Sequence, residues 1–262
     1  MHPTNCLNCG SNLNTYKFCP VCGQKAETHR LSFHDLWHDL LHYFTHADKS
    51  FFSLVGALAV WPGVVAREYV DGKRAKYFKP VNFFLVVGTI LVLMLTWFHL
   101  QNDEVIVKVQ QEAAKIRDAN EQKIVLERVE RMQQVLHYAT KYSNVLNMLI
   151  TPLLAFIFWL FYKKARYSYI EHLVANMFFI SFIMLFNALL IVPWQSKVTF
   201  TGSWVFYLLT DIIYRSLAYR QFMGKKGIGP LLKAFGVSLT ALLVWFVISY
   251  FVFQTYIMTG FK

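Results

Sequence analysis

Four cysteines occupy one short stretch as two C-x-x-C pairs, Cys6-Leu-Asn-Cys9 and Cys19-Pro-Val-Cys22, each followed directly by a glycine, Gly10 and Gly23. This is the spacing of a zinc ribbon, in which two tight knuckles offer four thiolates to one tetrahedral ion. Glycine suits the turn because it carries no Cβ to penalise a left-handed backbone. Two disulfides are the competing pattern. A structural zinc site is closed, so Cys6, Cys9, Cys19 and Cys22 imply a folded module rather than catalysis by the metal. Thiolates persist as ligands in a reducing medium, which places this end of the chain in the cytoplasm.

A second group with chemical potential is His34, His38, His42 and His46, one histidine every four residues. On a helix that spacing stacks neighbours on one side. Two readings fit. Histidines at i,i+4 can share a metal, with Asp35 and Asp39 as ligands or orienting partners. Alternatively they form the wet edge of an interfacial helix and, when protonated, contact anionic headgroups.

A third group is Asp211 and Arg215, four residues apart within an apolar run. Ionisable residues inside a membrane segment are functional candidates and line polar pathways. Asn176, Asn187, Tyr207, Thr210 and Tyr214 could share such a path. The alternative is a self-neutralising pair whose arginine reaches towards the headgroups.

The elements that must position these groups follow from hydropathy. Of 262 residues, 56% are hydrophobic and 17% aromatic, above the apolar share of an ordinary soluble domain. Long Leu, Ile, Val and Phe runs predict transmembrane helices at about 81–98, 145–162, 173–194, 204–218 and 235–258. Residues 29–80 read as amphipathic, interfacial helices, and Pro62-Gly63 interrupts an apolar run too short to span. Between the first two spans, residues 101–142 carry no Gly or Pro and place apolar residues three and four apart. They predict a helical hairpin outside the membrane, broken at Asp118-Ala119-Asn120.

Charge orients the spans. Segments assigned to the inside hold seventeen Lys and Arg against seven acids, counting Arg215, while the outer segments hold nine against seven. The excess lies on the cytoplasmic side, in agreement with the cysteines. The overall charge of +11 therefore points to a lipid bilayer as partner. Lys17 and Lys25 alone give the ribbon too thin a basic patch to point to nucleic acid. The amino terminus lacks the charged-then-apolar pattern of a signal peptide.

Pro62-Gly63, Arg67-Glu68-Tyr69, Gly72-Lys73-Arg74 and Tyr77-x-x-Pro80 follow one another just before the first span. Together with the four cysteines, this order resembles a family of uncharacterised bacterial membrane proteins. The resemblance covers about the first hundred residues. It implies an amino-terminal ribbon joined to several spans, and it carries no activity.

The expectation is an all-α polytopic membrane protein with about five transmembrane helices, a small zinc ribbon over 1–28 and an extracytoplasmic helical hairpin. No Ser-His-Asp arrangement, phosphate-binding glycine loop, dinucleotide fingerprint or H-E-x-x-H motif is present. This favours a non-enzymatic scaffold, assembly factor or regulator of the bacterial inner membrane whose ribbon docks a cytoplasmic protein. The competing functions are a small-solute or ion transporter using Asp211 and Arg215, and a membrane metalloenzyme using the histidine stripe.

Overall fold

A computed structural model describes residues 4–14, 16–28, 30–34, 50–98, 107, 110–195 and 200–259. Among these the chain is mostly helical and forms no strand. The cysteine module contains only two isolated bridges, Asn5–Asn12 and Phe18–Lys25.

Among the described residues, eight helices of nine or more residues position the rest. Helix α1 (Ser50–Val60) and helix α2 (Pro62–Val70) are separated at Trp61, where Pro62 takes a first-turn position that needs no N–H donor. Helix α3 (Pro80–Trp97) opens on Pro80 in the same way. Helix α4 (Ala119–Lys141) begins at Asp118, whose Oδ1 accepts from the Asn120 amide at 2.8 Å. The non-helical stretch before it runs from 114 to 118, so of the expected break Asp118-Ala119-Asn120 only Asp118 lies outside the helix. Helix α5 (Ser143–Phe161) follows, with Pro152 inside it.

Helix α6 (Tyr169–Phe186) starts four residues before the expected edge at 173. The reason is a capping box that apolarity does not reveal: the Ser168 amide donates to Glu171 Oε2 at 2.6 Å, and the Glu171 amide donates to Ser168 Oγ at 3.4 Å. Helix α6 continues through a π turn, Asn187–Ile191, into a last turn, Val192–Gln195. Pro193 lies just beyond, and its missing N–H accounts for the widened turn. Helix α7 (Phe200–Phe222) and helix α8 (Ile228–Thr259) extend past the expected runs 204–218 and 235–258 at their ends. Helical geometry, once nucleated, outlasts the apolar segment.

Among the described residues, three stretches are long and apolar enough to cross a membrane: Pro80–Trp97, Tyr169–Trp194 and Ile228–Tyr256. The apolar part of α5, Val145–Phe161, is shorter. Helix α7 carries Asp211 and Arg215 midway. Helix α6 is the axis of the bundle. Of its apolar stretch 67% is buried, against 22% for α8, and α2, α3, α5 and α7 all pack on it. A helix apolar all round finds cover on every side, as its sequence requires.

Helices α1 and α2 belong to the same core. Leu54, Leu58, Val65, Ala66 and Tyr69 are buried in it, and the Tyr69 ring meets Phe178 edge-on at 5.3 Å. At 11 and 9 residues, each of these two helices is too short to cross a bilayer core of about 30 Å.

Candidate metal centre and buried polar network

The cysteine module is built from two copies of one backbone pattern. In the first knuckle the Cys6 amide donates to Ser11 O and the Gly10 amide to Cys6 O, both at 2.8 Å. In the second the Cys19 amide donates to Gln24 O at 2.8 Å and the Gly23 amide to Cys19 O at 2.9 Å. Gly10 and Gly23 adopt φ of 77° and 71°, the left-handed region in which a side chain is penalised. These are the two turns expected from the sequence.

The four cysteines are unbridged, and their sulfurs all lie within 4.8 Å of one another. Contacts of 3.6 Å run between the knuckles, Cys6 to Cys22 and Cys9 to Cys19. Four thiolates converging on one point can hold a metal ion. Ser11 Oγ lies 3.0 Å from Cys9 Sγ and 2.9 Å from Cys19 Sγ, bridging the two knuckles. Its hydroxyl is the main cause of a Cys19 thiol pKa lowered to about 6, whereas burial pushes Cys6 up to about 11.

Neither spacing nor composition shows where this module sits. Gln24 is buried, and its side-chain amide grips the turn between α2 and α3 with both ends. Nε2 donates to Gly72 O at 2.9 Å, and Oε1 accepts from the Ala75 amide at 3.1 Å. Gly72 sits at φ 112°, a backbone strained for other residues, and a Cβ there would crowd the side-chain tips of the cysteine module, 2.9 Å from Leu7 Cδ1 and 3.0 Å from Thr28 Oγ1. Six residues on from Gln24, Arg30 forms a two-point ion pair with Glu171, at 2.7 and 2.8 Å, and donates to Arg166 O. Leu31 then enters the main core.

The same end of the bundle is tied by further charges. Arg166 pairs with Asp71 at 2.6 Å. The Glu68 carboxylate accepts from Lys73 at 2.9 Å, Lys76 at 2.7 Å and the Tyr77 hydroxyl at 2.6 Å. Burial works to raise the Glu68 pKa, but these three donors outweigh it and hold the group at about 2. Residues 68–77 therefore form a folded turn organised by one carboxylate.

Within the bundle, Asp211 and Arg215 do meet. Arg215 Nη2 donates to Asp211 Oδ1 at 2.5 Å, and Nη1 donates to Asn176 Oδ1 at 3.3 Å. Asn176 Nδ2 donates to the Tyr219 hydroxyl at 2.5 Å. That hydroxyl lies 3.3 Å from His172 Nδ1, within hydrogen-bonding reach of the ring nitrogen. His172 Nε2 is a buried atom with no hydrogen-bond partner. The Tyr219 ring stacks on Phe158 with centroids 3.7 Å apart. Thus α6 and α7 are joined by a polar chain running from Asp211 to His172.

His172 and Tyr219 carry no sequence signal beyond their position, because only the packing of α7 on α6 brings them to Asn176. Two of the other residues expected on this path, Thr210 and Tyr214, point elsewhere. Thr210 bonds its own helix at Phe206 O, and the Tyr214 hydroxyl donates to Leu58 O of α1. Of the histidine stripe only His34 is described, and it is exposed. His38, His42 and His46, with Asp35 and Asp39, lie outside the described residues.

A family model described as a protein of unknown function (DUF3667) matches residues 48–92. That stretch resembles this family. No curated protein and no solved structure matches the chain. The matched segment contains α1, α2, the Glu68-centred turn and most of α3. It is also the segment that Gln24 grips.

Proposed function

We propose that this is a multi-pass protein of the bacterial cytoplasmic membrane, acting as a non-enzymatic scaffold, assembly factor or regulator whose zinc ribbon faces the cytoplasm and docks a protein partner. In this reading α5 and α7 complete five spans. Helix α7 has 23 residues, about 35 Å at 1.5 Å per residue, and α5 has 19, about 28 Å; the bilayer core is about 30 Å. Helices α1 and α2 stay on the cytoplasmic side of the core as a pair of short helices.

Zinc suits the four thiolates. A tetrahedral ion with Zn–S of about 2.3 Å places its sulfurs about 3.8 Å apart, close to the 3.6 Å contacts between the knuckles. The ion supplies closure of the fold, held by Cys6, Cys9, Cys19 and Cys22. The module's own buried hydrophobic cluster is Cys6, Leu13, Cys19 and Ala26, too small to order it unaided.

The observation that carries the scaffold reading is the placement of this module. One side is fastened to the bundle through Gln24, while Tyr16, Phe18 and Val21 remain 56, 60 and 72% exposed. A rigidly mounted module that presents aromatic and aliphatic side chains suits protein recognition. Affinity purification in mild detergent, with metal analysis on the same sample, tests this. A cytoplasmic protein should co-purify with wild type and be lost from a Phe18→Ala, Val21→Ala double variant that keeps its zinc. A partner retained by that variant would rule out this surface.

A second reading, small-solute or ion transport, draws on the Asp211-to-His172 chain, because ionisable and polar groups buried within membrane segments are expected along translocation paths. An Asp211→Asn protein of normal abundance but without transport in proteoliposomes would favour it over the scaffold.

A further inference from the structure

We propose that the cysteine module is a metal-dependent clamp on the matched membrane segment, with Gln24 as the residue that transmits the state of the thiolates to the turn between α2 and α3. The proposal rests on the zinc reading above and adds a consequence for the membrane domain.

The argument starts from Gln24 serving two structures at once. Its backbone carbonyl closes the second knuckle by accepting from the Cys19 amide, while its side chain holds Gly72 O and the Ala75 amide. The first knuckle contributes to the same contact through Leu7, which lies beside Gly72 together with Thr28. The grip therefore needs both knuckles in fixed register, and the four thiolates are the strongest means of holding that register. With so small a hydrophobic cluster, loss of the ion unfolds the module. Gln24, Leu7 and Thr28 then leave the turn together.

What they release has its own organisation. The turn runs from Glu68, which gathers Lys73, Lys76 and Tyr77, into α3, the first long apolar helix. Without the clamp, the Gly72 carbonyl and the Ala75 amide lose their buried amide partner. The Gly72 carbonyl keeps only its bond from the Arg74 amide and the Ala75 amide is left to water, so the joint between α2 and α3 gains freedom. Loss of the ion from Cys6, Cys9, Cys19 and Cys22 is thus converted into a local opening next to the bundle.

Hydrogen exchange on the full-length protein in detergent tests the clamp. It is read at the peptide carrying Gly72–Tyr77, with and without removal of metal by a chelator, for wild type and Gln24→Ala. Metal content is measured in every sample. The expected result is slow exchange in metal-loaded wild type and exchange at least about tenfold faster after chelation. The metal-loaded Gln24→Ala variant should already exchange fast with its ion still bound. If metal leaves and exchange at Gly72–Tyr77 does not change, or if Gln24→Ala keeps full protection, the clamp is overturned while the zinc reading stands. If freshly purified wild type holds no metal, the zinc reading fails and the clamp fails with it.

Discussion

Gly63 of α2 lies so close to α7 that a Cβ on it would stand 2.0 Å from the Ala218 carbonyl oxygen and 2.4 Å from the Phe222 amide nitrogen. The opposing atoms are backbone and cannot rotate away. The Gly63 amide also donates to Gln221 Oε1 at 3.1 Å. Here glycine is required for close approach between helices.

Gly63→Ala is therefore expected to force α2 off α7, at a cost at or above the usual overpacking range of about 1–3 kcal/mol. Gly56→Ala is the matched control, because a Cβ at Gly56 meets nothing within 4 Å. Thermal melts followed by size-exclusion chromatography in detergent should show a lowered midpoint for Gly63→Ala and none for Gly56→Ala. Equal midpoints would contradict this packing.

Asp211 and Arg215 give a second prediction. Both side chains are largely buried, 16 and 5% exposed. Asp211→Asn orphans the guanidinium, and breaking a buried pair from one side costs about 3–5 kcal/mol. Adding Arg215→Gln removes the orphaned charge and should restore abundance. Abundance that stays low in the double variant would mean that Arg215 is needed for Asn176 independently of Asp211.

Glu68 predicts a pH dependence. Its folded-state value of about 2 lies below the ordinary 4.5, so its contribution is complete above about pH 4.5 and fades as pH falls towards 2. Limited proteolysis at the turn, using a protease active in acid, should show opening between pH 4.5 and 2.5. Glu68→Gln should show the open behaviour already at pH 6. A cleavage profile identical in the two proteins would remove Glu68 as the organiser of the turn.

Orientation is checked by labelling. With the ribbon cysteines shielded, Lys164→Cys is expected to be protected from an impermeant reagent in intact cells, while Lys123→Cys is labelled. Labelling of Lys164→Cys from outside would reverse the topology derived from charge bias.

The sequence by itself determined the elements whose physics is local. Two C-x-x-C-G knuckles specify their turns because cysteine spacing and left-handed glycine act over a few residues. Apolar runs announce α3, α6 and α8, since length and hydropathy are summed along the chain. The i,i+4 spacing of Asp211 and Arg215 foretells their pairing, because one helix sets both positions. Tertiary structure alone decided the rest. Gln24 reaches Gly72 across 48 residues, Arg30 reaches Glu171 across 141, and Tyr219 reaches Asn176 across 43. No periodicity records such meetings. Each depends on which helix packs against which, and that is settled by the burial of whole surfaces around α6.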